Sequence, residues 1–321
     1  MLPNFAYIRP GSVKDAVDSL SSSGARVFAG GTDLIGCLRD EIFEAESVVS
    51  LNGIKELSGI RDTSDGGLRI GALTTVTEVA ENETVRQRYA GLAQAAESVA
   101  SPQLRNQGTL GGNLCQRPRC WYFRGDFPCA KKGGAQCFAI NGVNRYHCIF
   151  GGSVCVIVHP SDTAPALISL GAQVKIDGPG GERTIPLETF YILPEEDHER
   201  ETVLETGEIV TEVILPPLEG WKSSYRKARE RGSWDFALAS VALAVREEGN
   251  RVREARVVFG GVAPKPWRSE PVEKEITGKR IDAGRARRAG EAAVKEAEPL
   301  DYNEYKIPLL QGLVEESLLA I

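Results

Sequence analysis

Apolar and polar positions alternate in short runs along this chain, and glycine or proline closes nearly every run. Near the N-terminus, Tyr7-Ile8-Arg9-Pro10 reads as extended. Apolar residues at 13, 16, 17 and 20 then recur at helical spacing, with Ser12 placed as an N-cap and Gly24 as a stop. Arg26-Val27-Phe28-Ala29 predicts a short strand that runs into Gly30-Gly31-Thr32-Asp33-Leu34, where a helix opens. Another strand is expected at 48–51, so residues 4–60 alternate strand and helix. Residues 68–75 predict a strand ending in a small-residue turn, and Thr77 starts a helix. Residues 91–100 predict a helix of small side chains, suited to close packing on a sheet. Val154-Cys155-Val156-Ile157-Val158 reads as a buried strand, followed by a helix from Thr163 to Leu170. Residues 173–176 and 181–186 read as hairpin strands across a Gly-Pro-Gly-Gly turn.

Composition shifts at Pro216-Pro217-Leu218-Glu219-Gly220, which reads as a linker. Beyond it, 221–231 is basic and extended, 237–246 is an apolar run of strand type, and 254–261 predicts a further strand. A charged, Ala-rich helix over 281–298 and a helix in the last twelve residues complete an α+β unit of about a hundred residues. Arg285, Arg287 and Arg288 share their helix with Glu291, Glu296 and Glu298, so that face reads as solvated. The expected organisation is one subdomain over 1–60, a second over 61–217 with an insertion at 115–150, and a C-terminal domain over 218–321.

The 321 residues are 42% apolar and 26% charged, an ordinary globular composition. A formal net charge of −6 gives no electrostatic support for nucleic-acid binding. No apolar run approaches the roughly 20 residues that span a bilayer, and the N-terminus lacks the pattern of a signal peptide. A cytoplasmic, reducing setting is the expectation, with export on a partner's signal left open. In such a setting clustered cysteines read as ligands before disulfides.

Candidate chemistry concentrates between 105 and 160. Gly108-Thr109-Leu110-Gly111-Gly112-Asn113 is a glycine turn beside small polar groups, where backbone N–H groups can approach a phosphate. Gly30-Gly31-Thr32-Asp33 before a helix has the same character, although it does not fit a G-x-G-x-x-G pattern. Five of the seven cysteines fall between 115 and 148, where a uniform spread would put fewer than one. Cys120, Cys129, Cys137 and Cys148 are spaced C-x8-C-x7-C-x10-C and lack the close C-x2-4-C pair usual in structural zinc sites. Four separate cysteines on a Gly- and Lys-rich irregular segment suit an iron–sulfur cube wrapped by loops, with Lys131 and Lys132 offsetting its charge. Zinc, a ligand role for His147 and two disulfides remain alternatives. Cys37 and Cys155 read as core residues, and Cys115 as either core or cofactor wall.

In these residues the chain resembles the FAD-binding subunits of the molybdenum hydroxylases, a family that includes xanthine dehydrogenase and carbon monoxide dehydrogenase. Residues 28–34 and 108–113 resemble that family's two flavin-diphosphate loops. Ile70-Gly71-Ala72-Leu73-Thr74-Thr75 and His159-Pro160-Ser161-Asp162 match in order and spacing. The cysteine insertion is not general to the family. It resembles the one in 4-hydroxybenzoyl-CoA reductase and, more closely, in a bacterial aldehyde oxidoreductase, where it holds a [4Fe–4S] cluster.

The resemblance implies an α+β fold: a two-part FAD-binding domain of the PCMH/vanillyl-alcohol-oxidase-like type with a cysteine-rich insertion, then an antiparallel sheet with helices. It implies FAD contacts from Val27, Phe28, Ala29, Gly30, Gly31, Thr32, Asp33 and Leu34, and from Thr74, Gly108, Thr109, Gly111, Gly112, Asn113 and Cys115. Ser161 and Asp162 would form a polar pair on the cofactor, Ile209 and Val210 an apolar wall, and Lys227 a cation near the flavin. Cys120, Cys129, Cys137 and Cys148 would hold the cluster. The implied role is electron transfer. The implied partners are a molybdopterin-binding large subunit, a small subunit with two [2Fe–2S] clusters and a ferredoxin-like carrier, in a dimer of heterotrimers. The rival readings are a free-standing flavin oxidase, for which 218–321 leaves little room, and a zinc-stapled module without catalysis.

Overall fold

The computed structural model describes residues 2–321. Its N-terminal layer is a parallel sheet in the order β1 (Ala6–Ile8), β3 (Ser47–Ser50), β2 (Ala25–Phe28). Parallel neighbours need crossovers, and the helices Val13–Ser19 and Leu34–Arg39 provide them. Ser12 caps the first as its residue type predicts, its hydroxyl accepting from Asp15 N at 3.1 Å. Ala16 and Val17 of that helix pack on Val49 and Leu51.

A five-stranded antiparallel sheet follows, ordered β4 (Ile60–Asp62), β5 (Leu68–Gly71), β8 (Ile209–Leu215), β6 (Gln173–Gly178), β7 (Gly181–Pro186). Thr75 and Glu78 form a capping box that starts the helix Val76–Glu81. The helices Ala90–Ser98 and Thr163–Ser169 bury Leu92, Ala95, Leu167 and Ile168 in one core with Ile70, Val174 and Val213.

The C-terminal sheet is antiparallel, ordered β12 (Trp267–Arg268), β11 (Arg251–Gly260), β10 (Ala239–Glu248), β9 (Trp221–Ala228). The apolar run in β10 has a direct cause: both faces are covered. Val241, Leu243 and Val245 pack with the helices Glu270–Ile276, Ala283–Ala293 and Lys306–Leu319, while Ala242 faces the core of the five-stranded sheet. The helix Ala90–Ser98 docks on β9, where Tyr225 N donates to Gln94 Oε1 at 2.8 Å and Gly91 N to Ser223 Oγ at 3.0 Å. A Cβ on Gly91 would stand 3.2 Å from Ser224 N, so glycine sets this close approach.

Two expectations differ from the structure. Residues 154–158 form no strand and join no sheet. Val156 O accepts from Cys148 N at 3.0 Å and His159 N donates to Ala263 O at 2.9 Å, so this backbone is spent on the cysteine segment and the C-terminal domain. The helix expected over 281–298 ends at Ala293, and Glu298 N donates to Ile149 O at 2.7 Å, pulling the chain back to the same segment. The helix Glu270–Ile276, with Pro271 in its first turn, was not anticipated. No helix is long and apolar enough to cross a membrane among the described residues.

Candidate functional site

A cavity of about 730 Å³ lies where the two N-terminal sheets meet, lined by both glycine turns. The turns touch: a Cβ on Gly30 would fall 1.9 Å from Gln107 O, and one on Gly111 would fall 2.8 Å from the Ala72 Cβ. Glycine is required at both places because backbone occupies the space. Gly31 adopts a left-handed φ of 71°, and no hydrogen bond within the chain takes up the N–H groups of Gly30, Gly31, Thr32 or Asp33 among the described residues. Four successive free donors on a concave turn form a cradle for an anion such as a diphosphate. On the second turn, Thr109 Oγ1 accepts from Gly112 N at 3.2 Å and holds the backbone in place.

Most residues named from the sequence reach this cavity. Val27, Ala29, Gly30 to Leu34, Gly108, Thr109, Gly111, Gly112, Asn113, Cys115, Asp162, Ile209 and Val210 all line it. Phe28, Thr74, Ser161 and Lys227 are not among its lining residues and act one step behind. Phe28 fills the space beneath Gly31. Thr74 Oγ1 donates to Gly59 O at 3.1 Å and accepts from Gly59 N at 3.0 Å. Ser161 and Thr163 both donate to Asn113 Oδ1, at 2.6 and 2.7 Å, and so orient its amide. Lys227 Nζ donates to Asp162 Oδ2 at 2.7 Å and the Tyr225 hydroxyl to Asp162 Oδ1 at 2.6 Å. Burial raises the Asp162 carboxyl, and Lys227 and Tyr225 pull it back. The Cys115 thiol is pushed up to about 12, chiefly by burial, and so stays protonated as a neutral wall.

The cysteine segment folds between the core of the five-stranded sheet and the C-terminal domain. Asn303 Nδ2 donates to His147 O and Cys148 O at 3.1 and 3.0 Å, and the buried Lys306 donates to Tyr146 O and Gly261 O at 3.2 and 2.7 Å. Inside, Cys120, Cys129, Cys137 and Cys155 line one small cavity of about 10 Å³ together with His147. Cys148 is absent from that lining and packs with Ala139 and Val156. Cys155 is buried, as the apolar run around it implies, and lies at this cavity beside Cys137. The neighbouring Cys155 thiol, with N–H groups of Ala139, Val156 and Ile140, lowers the Cys137 thiol despite its partial burial. Burial pushes Cys120 to about 11 and Cys148 to about 12. No three His, Cys, Asp or Glu side chains converge closely enough to clasp a metal ion among the described residues. Lys132 is turned away to Gly125 O at 2.7 Å, and Lys131 is paired with Glu201 at 2.6 Å.

A polar bridge joins the two cavities, and its arginines were not singled out from the sequence. Asp33 accepts from Arg119 at 2.5 Å, Arg124 at 2.7 Å and Arg117 N at 2.7 Å. Burial pushes the Asp33 carboxyl upward, but Arg119, Arg124 and the Arg117 N–H outweigh it and hold it below the usual range. Arg124 also donates to Cys37 Sγ at 2.8 Å, and Cys37 packs against Cys129 and Phe123. The run Arg117-Pro118-Arg119-Cys120 beside the cysteines was the available signal.

Comparison with known proteins agrees with this geometry. Residues 3–131 and 135–218 match the family described as the FAD binding domain in molybdopterin dehydrogenase, and 223–321 match the CO dehydrogenase flavoprotein C-terminal domain. The chain is 42% identical over 278 residues to the aldehyde oxidoreductase FAD-binding subunit PaoB of Escherichia coli (strain K12), covering 85% of this chain and 86% of that one. It is 28% identical to the carbon monoxide dehydrogenase medium chain of Hydrogenophaga pseudoflava, over 98% of this chain and 96% of that one. A solved structure of carbon monoxide dehydrogenase from Hydrogenophaga pseudoflava superposes with a TM-score of 0.79 at 27% identity, covering 100% and 98% of the two chains.

Proposed function

We propose, for a chain that belongs to the family of FAD-binding medium subunits of the xanthine dehydrogenase/CO dehydrogenase molybdenum hydroxylases, that it carries a [4Fe–4S] cluster beside its FAD and relays electrons through both. The observation that carries this reading is the Asp33–Arg124–Cys37 bridge, which ties the phosphate cradle to the cysteine core. FAD, when bound, supplies the exchange of one or two electrons at a time. The chain's own residues do the rest. The free N–H groups of the first turn bind the diphosphate, Asn113 and Asp162 present polar groups held rigid from behind, and Ile209 and Val210 exclude water from one side.

For the cluster, the donor set fits in kind: four sulfurs, two buried and two half-buried, line one cavity with no carboxylate in its lining. The fourth ligand on this reading is Cys155, which shares the small cavity with Cys120, Cys129 and Cys137, in place of Cys148. Space for about 10 Å³ means that loading moves the sulfurs apart. The partners on this reading are a molybdopterin-binding large subunit, a small subunit with two [2Fe–2S] clusters and a ferredoxin-like carrier, assembled as a dimer of heterotrimers. The 42% identity to an aldehyde oxidoreductase subunit favours electrons flowing outward from aldehyde oxidation on the large subunit.

The test is iron content and the low-temperature EPR signal of reduced protein after anaerobic purification. Cys155→Ser is expected to lose the cluster while keeping FAD, and Cys148→Ser to keep both. Iron lost from the Cys148 variant and retained in the Cys155 variant would reverse the assignment; iron absent from the unmodified chain would remove the cluster altogether.

A further inference from the structure

Beside the sulfurs of the small cysteine cavity sits one imidazole, His147, which is 4% exposed. Its Nε2 stands 3.2 Å from Cys120 Sγ. Its Nδ1 is buried without a hydrogen-bond partner among the described residues. A nitrogen orphaned in this way carries a desolvation cost that an apolar side chain of similar size would avoid. The ring is also held firmly from both sides. His147 N donates to Asn144 O at 2.9 Å, and His147 O accepts from Asn303 at 3.1 Å. The preceding carbonyl, Tyr146 O, accepts from Lys306 at 3.2 Å. Asn303 and Lys306 are themselves fully buried, so the start of the last helix fixes where this imidazole points. Tyr122 flanks it, with 6.4 Å between ring centroids.

A neutral imidazole has one N–H and one acceptor nitrogen. The sulfur of an iron-bound thiolate only accepts, so two lone pairs would face each other unless Nε2 carries the hydrogen. That tautomer leaves Nδ1 as an unpaired acceptor, which a protein interior tolerates better than an unpaired N–H. We propose that His147 donates an Nε2–H bond to the Cys120 sulfur and thereby raises the reduction potential of the cluster. The inference rests on the cluster reading of the cysteine core. Sulfurs of the reduced cluster carry more negative charge, so the bond is stronger in that state and favours electron uptake. His147 is thus a positioning residue that acts through Cys120. Asn303 and Lys306 give the C-terminal domain a hold on the relay by fixing the ring.

The experiment is an EPR-monitored redox titration of the anaerobically purified holoprotein, comparing the parent with His147→Leu and His147→Gln. Glutamine offers an amide N–H in place of the imidazole donor, and leucine offers none. His147→Leu is expected to shift the reduction equilibrium about tenfold toward the oxidised cluster, about 59 mV for one electron, while His147→Gln stays within about threefold of the parent. Iron and FAD contents should match the parent in both. A second readout needs no substitution. In the parent labelled with 15N-histidine, electron–nuclear double resonance of the reduced cluster should show a weakly coupled nitrogen and a proton that exchanges in D2O. An unshifted potential in His147→Leu, or no coupled histidine nitrogen, would overturn the bond. Should His147→Leu lose its iron, the resonance decides alone: strong coupling would make His147 a ligand and overturn the proposal, and weak coupling would uphold it. A parent chain without iron would instead overturn the cluster reading itself.

Discussion

Replacing Lys227 with Met removes one charge from a buried pair whose side chains are 3% and 5% exposed. The remaining carboxylate of Asp162 keeps the Tyr225 hydroxyl at 2.6 Å but loses the ammonium that donates to it. Breaking a buried pair by deleting one partner typically costs about 3–5 kcal/mol, because the orphaned charge stays desolvated. The retained hydroxyl places the expectation at the lower end, about 3 kcal/mol. Lys227 belongs to β9 and Asp162 to the FAD side, so the loss falls on the joint between them. Urea unfolding of Lys227→Met should therefore show a lowered midpoint. The double variant Asp162→Asn with Lys227→Met should recover at least half of the loss, since no charge is then buried alone. FAD affinity should fall about tenfold in the single variant, equivalent to about 1.4 kcal/mol, as Asp162 loses its fixed orientation at the cavity wall. A stability change below about 0.5 kcal/mol, or a double variant no better than the single one, would refute the reasoning.

Gly30→Ala puts a Cβ 1.9 Å from Gln107 O, and the two turns must part. Equilibrium titration of the apoprotein should show FAD affinity at least about tenfold weaker, while the far-ultraviolet spectrum stays unchanged. Burial lowers His159 to about 3, against about 6.5 in an unfolded chain. The unfolded state therefore binds the extra proton between those values, and stability falls as pH drops below about 6.5. From pH 7 to 5 this one imidazole should cost about 2 kcal/mol. Thermal melting at the two pH values should show it, and His159→Gln should remove that part of the pH dependence.

What was legible in the chain was local. Ser12, the Gly30-Gly31 turn and the doubly buried apolar run of β10 each carry their cause within a few residues. Contacts set by tertiary closure had no such mark. Asp33 and Arg124 are 91 positions apart, and Asp162 and Lys227 65 apart. Thr74 stands in a motif beside the cavity yet spends its hydroxyl on Gly59. The run Val154-Cys155-Val156-Ile157 carries the same apolar pattern whether it joins a sheet or brings a sulfur to the cysteine core. Periodicity could therefore not separate Cys155 from an ordinary core cysteine. Nothing local in the sequence paired the arginines at 117, 119 and 124 with Asp33; the fold brings it among them.

A flavin and an iron–sulfur cube held side by side in one chain would be revealed most directly by quantification of FAD, iron and acid-labile sulfide in the anaerobically purified chain. One FAD with four irons and four sulfides per chain is the expected result. Protein that carries zinc, or FAD without iron, would contradict the account.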